Sequence, residues 1–127
     1  MGILSKLFGI SPSKPPLHID DANFEAEVLR SGLPVIIDVW GPNCAPCKQL
    51  EPVIQSLAGT YDGRVKVCEM GTHFAPRAAG MLRISGTPTV LYFDKGKEKE
   101  RVIGVRGSLY HEQTVEEIFG IPKKPDA

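Results

Sequence analysis

Two cysteines three positions apart sit where an apolar run gives way to a helical period. That junction limits the fold more than any other stretch of the chain. Val35-Ile36-Ile37-Asp38-Val39-Trp40 is rich in β-branched residues and reads as a strand. Gly41-Pro42-Asn43 follow. Then Leu50, Val53, Ile54, Leu57 and Ala58 fall at i, i+3, i+4, i+7 and i+8, the inward stripe of a helix. Traced backwards, the first turn of that helix holds Ala45, Pro46 and Cys47, with Cys44 at or beside the N-cap. Proline suits a first turn, because its missing N–H breaks no helical bond there. Pro52 lies deeper in the same helix and predicts a kink.

A cysteine at a helix N-terminus faces unpaired N–H groups and the positive end of the helix dipole. Both favour the thiolate, which is the reactive form. Cys47, one turn further in, is more sheltered yet within reach of the first sulfur. This division suits thiol–disulfide exchange: Cys44 attacks a substrate disulfide, and Cys47 then attacks the mixed disulfide and releases the product. The alternatives are two incidental core cysteines or a permanent structural disulfide. The place of the pair, after a strand and at a helix start, favours exchange. Asp38 interrupts the apolar strand, and its same-face neighbours are Ile36 and Trp40. A carboxyl buried there would hold its proton more tightly and become a usable base.

The rest of the chain alternates in the same way. Leu17 to Ile19 is a short edge strand. Asp20 or Asp21 caps a helix carrying Phe24, Val28 and Leu29, which Gly32 and Pro34 close. Val65 to Met70 is a strand and Ala75 to Leu82 a short helix. Thr89 to Phe93 and Arg101 to Ile103 make a hairpin around Gly96, and Glu112 to Phe119 is a last helix with Val115, Ile118 and Phe119 inward. The order βαβαβαββα is an α/β pattern. The long crossover helix makes the second and third strands parallel, and the last two strands are antiparallel. Residues 1–16 read as a tail and proline-rich linker, 17–121 as one domain, and 122–127 as a second tail.

With 15 basic and 15 acidic residues the net charge is zero, so no broad basic field exists to recruit nucleic acid. Three cysteines exclude a four-cysteine zinc site, and none of His18, His73 and His111 lies at finger spacing from the pair, so no metal is expected. Ile3, Leu4, Leu7 and Phe8 share one face of a possible short amphipathic helix. No stretch is long enough to span a bilayer. No export or myristoylation signal is read at the N-terminus, and the expected compartment is the cytoplasm. Cys68, Met70 and Met81 read as core residues; His73 and His111 read as solvated loop residues.

"VIIDVWGPNCAPCKQLEPVI" resembles the active-site segment of the thioredoxin family, and "ISGTPTVLYFDKGKE" resembles its cis-proline strand and hairpin. Glycines and prolines match in register from about Val35 to Gly104. The resemblance implies a thioredoxin fold, a central mixed β-sheet flanked by helices. By position it implies an attacking Cys44, a resolving Cys47, and a buried Asp38 that assists deprotonation of Cys47. It also implies a cis bond at Pro88, which with Thr87 would offer backbone groups to an extended substrate. Trp40 would pack beneath the site and Gly104 would form part of the docking surface. The implied activity is reduction of protein disulfides by a monomer that a separate, thioredoxin-reductase-like donor recharges. No flavin or nicotinamide motif appears, and the chemistry needs no cofactor.

Four positions depart from the family pattern. Asn43 stands where the family carries a second tryptophan, Ala45 where glycine is usual, Thr87 where an aliphatic residue is usual, and Glu69 where lysine is common. Loss of the tryptophan favours a dedicated partner. It also supports a second reading, a peptide-binding or assembly module in which redox turnover is incidental. Glu69 either turns to solvent at the end of the sheet or titrates together with Asp38.

Overall fold

A computed structural model of the chain describes residues 12–124. The amphipathic segment at residues 3–8 and the last three residues lie outside them. The elements are β1 (Leu17–Ile19), α1 (Glu25–Leu29), β2 (Val35–Trp40), α2 (Ala45–Thr60), β3 (Lys66–Gly71), α3 (Pro76–Met81), β4 (Thr89–Asp94), β5 (Lys97–Ile103) and α4 (Ser108–Phe119). They form one five-stranded sheet in the order β1-β3-β2-β4-β5. β1 and β2 run parallel to β3; β4 is antiparallel to β2 and β5 to β4. This is the expected mixed sheet.

β2 is the middle strand, and Val35 to Val39 are all buried. Side chains alternate across the sheet, so the strand feeds two cores. Val35, Ile37 and Val39 join Ile19, Phe24, Val28, Met70, Leu91 and Phe93 on the α1 and α3 side. Ile36 joins Leu50, Ile54, Leu57, Val90, Tyr92 and Val115 on the α2 and α4 side. Each such aliphatic side chain, fully buried, contributes about 1.5–3 kcal/mol. By the same alternation Asp38 lies on the α2 side, the side from which Cys47 approaches.

Asp20 caps the first helical segment, its Oδ1 accepting from the N–H groups of Ala22 and Asn23 at 2.9 and 3.0 Å. α1 itself is a wide, π-type turn closed by the Arg30 N–H on the Glu25 carbonyl at 2.9 Å. Asp21 serves a different helix: its carboxylate accepts from the N–H groups of Arg77 and Ala78 at the start of α3.

Four sequence expectations are corrected. β5 begins at Lys97 rather than Arg101. Lys95 and Gly96, at φ 52° and 78°, make a two-residue turn that sets Asp94 opposite Lys97. Backbone pairing therefore runs out to the charged tip, where no apolar alternation marks it. α4 begins at Ser108 rather than Glu112, and the extra turn carries His111, which is fully buried instead of solvated. The Tyr92 hydroxyl holds its Nδ1. Met81 is 64% exposed at the end of α3, not a core residue, whereas Met70 and Cys68 are fully buried.

The proline-rich segment before β1 lies along α2. The Lys14 N–H donates to the Gln55 carbonyl at 3.1 Å, and the Lys14 ammonium meets Asp62 at 2.6 Å. The contact is close enough that a Cβ on Gly59 would stand 1.7 Å from the Pro12 carbonyl oxygen.

Candidate active site

The site forms where β2 ends and α2 begins. Asn43 turns the chain with φ 54°, a left-handed conformation that asparagine tolerates better than most residues. Cys44 then takes an extended conformation as the N-cap of α2, and its Sγ accepts the Cys47 N–H at 3.2 Å. Pro46 lies in the first turn. Cys44 and Cys47 are joined in a disulfide, with their Cα atoms 5.3 Å apart. Cys44 is half-buried and Cys47 is 4% exposed. The first sulfur is thus open to a partner, lies at the positive end of α2 and touches a backbone N–H that stabilises a thiolate.

The loop before β4 flanks Cys44. The Thr87–Pro88 peptide bond is cis. The Thr87 hydroxyl donates to Cys44 Sγ at 3.6 Å, and the Thr87 carbonyl oxygen lies 3.7 Å from the same sulfur. Gly104 follows β5 at φ 95° and donates its N–H to the Pro88 carbonyl at 2.9 Å. Thr87, Pro88 and Gly104 therefore stand together on one side of the disulfide.

On the other side a cavity of about 360 Å³ runs beneath the cysteines. Asp38, Trp40, Cys47, Lys48, Glu51 and Glu69 are among its lining residues. Asp38 is 4% exposed, and its Oδ1 has no hydrogen-bond partner among the described residues. Burial, then the carboxylates of Glu69 and Glu51, push the Asp38 carboxyl up to about 7. A carboxyl in that range takes and returns a proton near neutral pH.

Glu69 neither turns freely to solvent nor stands alone with Asp38. Its Oε1 accepts the Trp40 indole N–H at 2.6 Å, and its Oε2 meets His18 Nδ1 at 2.6 Å. Trp40 is held as well by His73, edge-on at 5.1 Å between ring centroids, and Phe74 at 6.2 Å. The sequence reading singled out Glu69 but missed His18 and Glu51. His18 becomes visible only through register, since β1 sets it opposite Glu69. Among the described residues no group of three His, Cys, Asp or Glu side chains is placed to hold a metal ion.

The family model for thioredoxin matches residues 15–117, and so spans the sheet, the helices except the last two residues of α4, and every residue of this site. The chain belongs to the thioredoxin family. Named relatives agree. It is 42% identical over 86 residues to "Thioredoxin M-type, chloroplastic" of Spinacia oleracea, covering 68% of this chain and 48% of that protein. It is 34% identical over 99 residues to "Thioredoxin 1" of Nostoc sp., covering 78% of this chain and 92% of the relative. For "Thioredoxin" of Synechocystis sp. the identity is 37% over 87 residues, with 68% and 81% covered. The chain spans about half the length of the plant relatives it matches, and most of the length of the cyanobacterial ones.

Proposed function

We propose that this thioredoxin-family chain is a thiol–disulfide oxidoreductase that reduces protein disulfides through Cys44 and Cys47. The observation that carries the reading is the asymmetry of the pair. One sulfur is reachable at a helix N-terminus, and the other is buried beside a cavity that Asp38 also lines.

In the reduced protein the Cys44 thiolate attacks one sulfur of a substrate disulfide. The substrate S–S bond breaks, a Cys44–substrate bond forms, and the first substrate thiolate leaves. Asp38 takes the proton from Cys47, whose thiolate attacks Cys44 Sγ. The Cys44–Cys47 bond forms, the mixed disulfide breaks, and the second substrate thiolate leaves. The two departing thiolates take up the protons that the dithiol gave up. Two electrons pass from the dithiol to the substrate, and a separate reductase returns them. Thr87, Pro88 and Gly104 present backbone beside Cys44, where an extended substrate segment would lie.

A monomer working in a reducing compartment such as the cytoplasm completes the reading, and sedimentation and cell fractionation test those two parts. Turnover is tested by reduction of a reporter protein disulfide with dithiothreitol as electron source. The expected result is acceleration that Cys44→Ser abolishes. Equal rates with and without the protein would exclude the activity for that substrate.

A further inference from the structure

Two carboxylates on adjacent strands border the cavity beneath the disulfide, and only one is held in place by donors. Asp38 and Glu69 are register partners on β2 and β3. Glu69 is fixed from both sides by the Trp40 indole and by His18. The indole N–H can only donate. A carboxylate accepts from both neighbours at once, so each Glu69 oxygen has a donor when His18 presents an N–H at Nδ1.

The other groups around Asp38 are few. α2 contributes Glu51, Lys48 and Cys47 to the cavity. Glu51 and Lys48 are exposed, so solvent and salt screen them. The β4 residue paired with Asp38 is Val90, which is uncharged. His18 lies on β1, beyond Glu69. The Glu69 side chain is only 21% exposed and cannot swing away without breaking both bonds.

We propose that Glu69 is a positioning residue for proton transfer at Cys47: clamped by Trp40 and His18, its carboxylate fixes the charge that Asp38 faces, and His18 sets how much of that charge is offset. This rests on the reductase reading for its role in turnover, but the electrostatic link can be measured without turnover. Ionised Glu69 opposes loss of the Asp38 proton. An imidazolium at His18 neutralises part of that opposition, and a neutral His18 does not. The pH at which Asp38 can accept the Cys47 proton therefore responds to a histidine two strands away.

The test follows the Asp38 side-chain carboxyl by carbon-13 NMR through a pH titration of the full chain. Glu69→Gln keeps an acceptor for Trp40 and a polar group for His18, and its thermal unfolding is compared with the parent to confirm the fold. The Asp38 titration is expected to move down by roughly one pH unit in Glu69→Gln. In His18→Gln, which keeps a donor toward Glu69 but never a charge, it is expected to move up by a smaller step. The pH profile of reporter-disulfide reduction should shift in the same directions and lose both shifts in an Asp38→Asn background. An Asp38 titration unmoved in Glu69→Gln overturns the proposal. One that moves in Glu69→Gln but not in His18→Gln overturns the part assigned to His18. If the carboxyl shifts as expected while no variant, nor the parent, reduces the reporter, the reductase reading fails and the electrostatic link stands.

Discussion

Asp38 on β2 and Glu69 on β3 sit side by side in parallel register, and both border the cavity under the Cys44–Cys47 disulfide. Asp38 is the more buried of the two and lacks a hydrogen-bond partner at Oδ1 among the described residues. Glu69 has two donors. Glu69 is clamped by those donors, and the sheltered Asp38 carboxyl is pushed up to about 7 and holds a proton into the neutral range. A carboxyl able to exchange a proton near neutral pH thus lines the same cavity as Cys47, with Glu69 rather than a cation opposite it in register.

Asp38→Asn is expected to slow reporter reduction by at least roughly tenfold near neutral pH, since a positioned base is worth that much or more. It is also expected to stabilise the fold at alkaline pH. Burial and the neighbouring carboxylates push the folded carboxyl up to about 7 from its ordinary 3.8, so the folded state binds more protons between those limits. Stability from this group therefore falls as pH rises from about 3.8 and is lowest above about 7. The full linkage is on the order of 4 kcal/mol as an upper bound, and asparagine removes it. Urea unfolding at pH 8 checks the gain; an unchanged midpoint would mean the carboxyl is not perturbed.

Much of the site was legible because its signals are local. The apolar run of β2, the inward stripe of α2 and Pro46 in the first turn set Cys44 at the helix cap before any tertiary contact is known. The unread parts depend on neighbours distant in sequence. His111 is held by Tyr92 on β4, while its own segment offers Leu109 and Tyr110 as the apolar candidates, and both of those are exposed. The outer half of β5 pairs through its backbone while its side chains are charged and exposed. His18 enters the site because a three-residue edge strand sets it beside Glu69, a register that no periodicity reports. Met81 misled because hydrophobicity alone does not say which side of a six-residue helix faces the sheet.

Cys68 is fully buried, and desolvation pushes its thiol up to about 12. Alkylation requires both a thiolate and access. In the reduced native protein, iodoacetamide is therefore expected to modify Cys44 first and to leave Cys68 unmodified until the chain unfolds. Peptide mass spectrometry of a timed labelling series reads this directly, and early label on Cys68 would contradict its burial.

Gly59→Ala tests the segment along α2. Gly59 is the next-to-last residue of α2, where alanine gains less than the roughly 1 kcal/mol it has over glycine in a helix interior. The added methyl, however, falls 1.7 Å from the Pro12 carbonyl oxygen, so the backbone there must move. The expected outcome is faster amide exchange at Lys14, whose N–H bond to Gln55 depends on that approach. Unchanged exchange together with a gain in stability would show that the segment is not held against the helix.

His111 gives the opposite pH dependence to Asp38. Burial, then the charge of Arg106, lowers its imidazole to about 4 from 6.5. Its Nδ1 is engaged by the Tyr92 hydroxyl, and Nε2 has no partner among the described residues, so the folded state favours the neutral ring. Between about 4 and 6.5 the unfolded chain binds the extra proton, and stability from this group rises with pH. It is complete above 6.5 and lost as pH falls toward 4. The full effect is roughly 3 kcal/mol, close to that of Asp38 and of opposite sign over nearly the same window. The two slopes largely cancel in the parent. Asp38→Asn should uncover the rise, and His111→Gln, which keeps an acceptor for Tyr92, should uncover the fall. Urea midpoints of the parent and both variants from pH 4 to 8 test this together; parallel curves for all three would mean that neither group is perturbed by the fold.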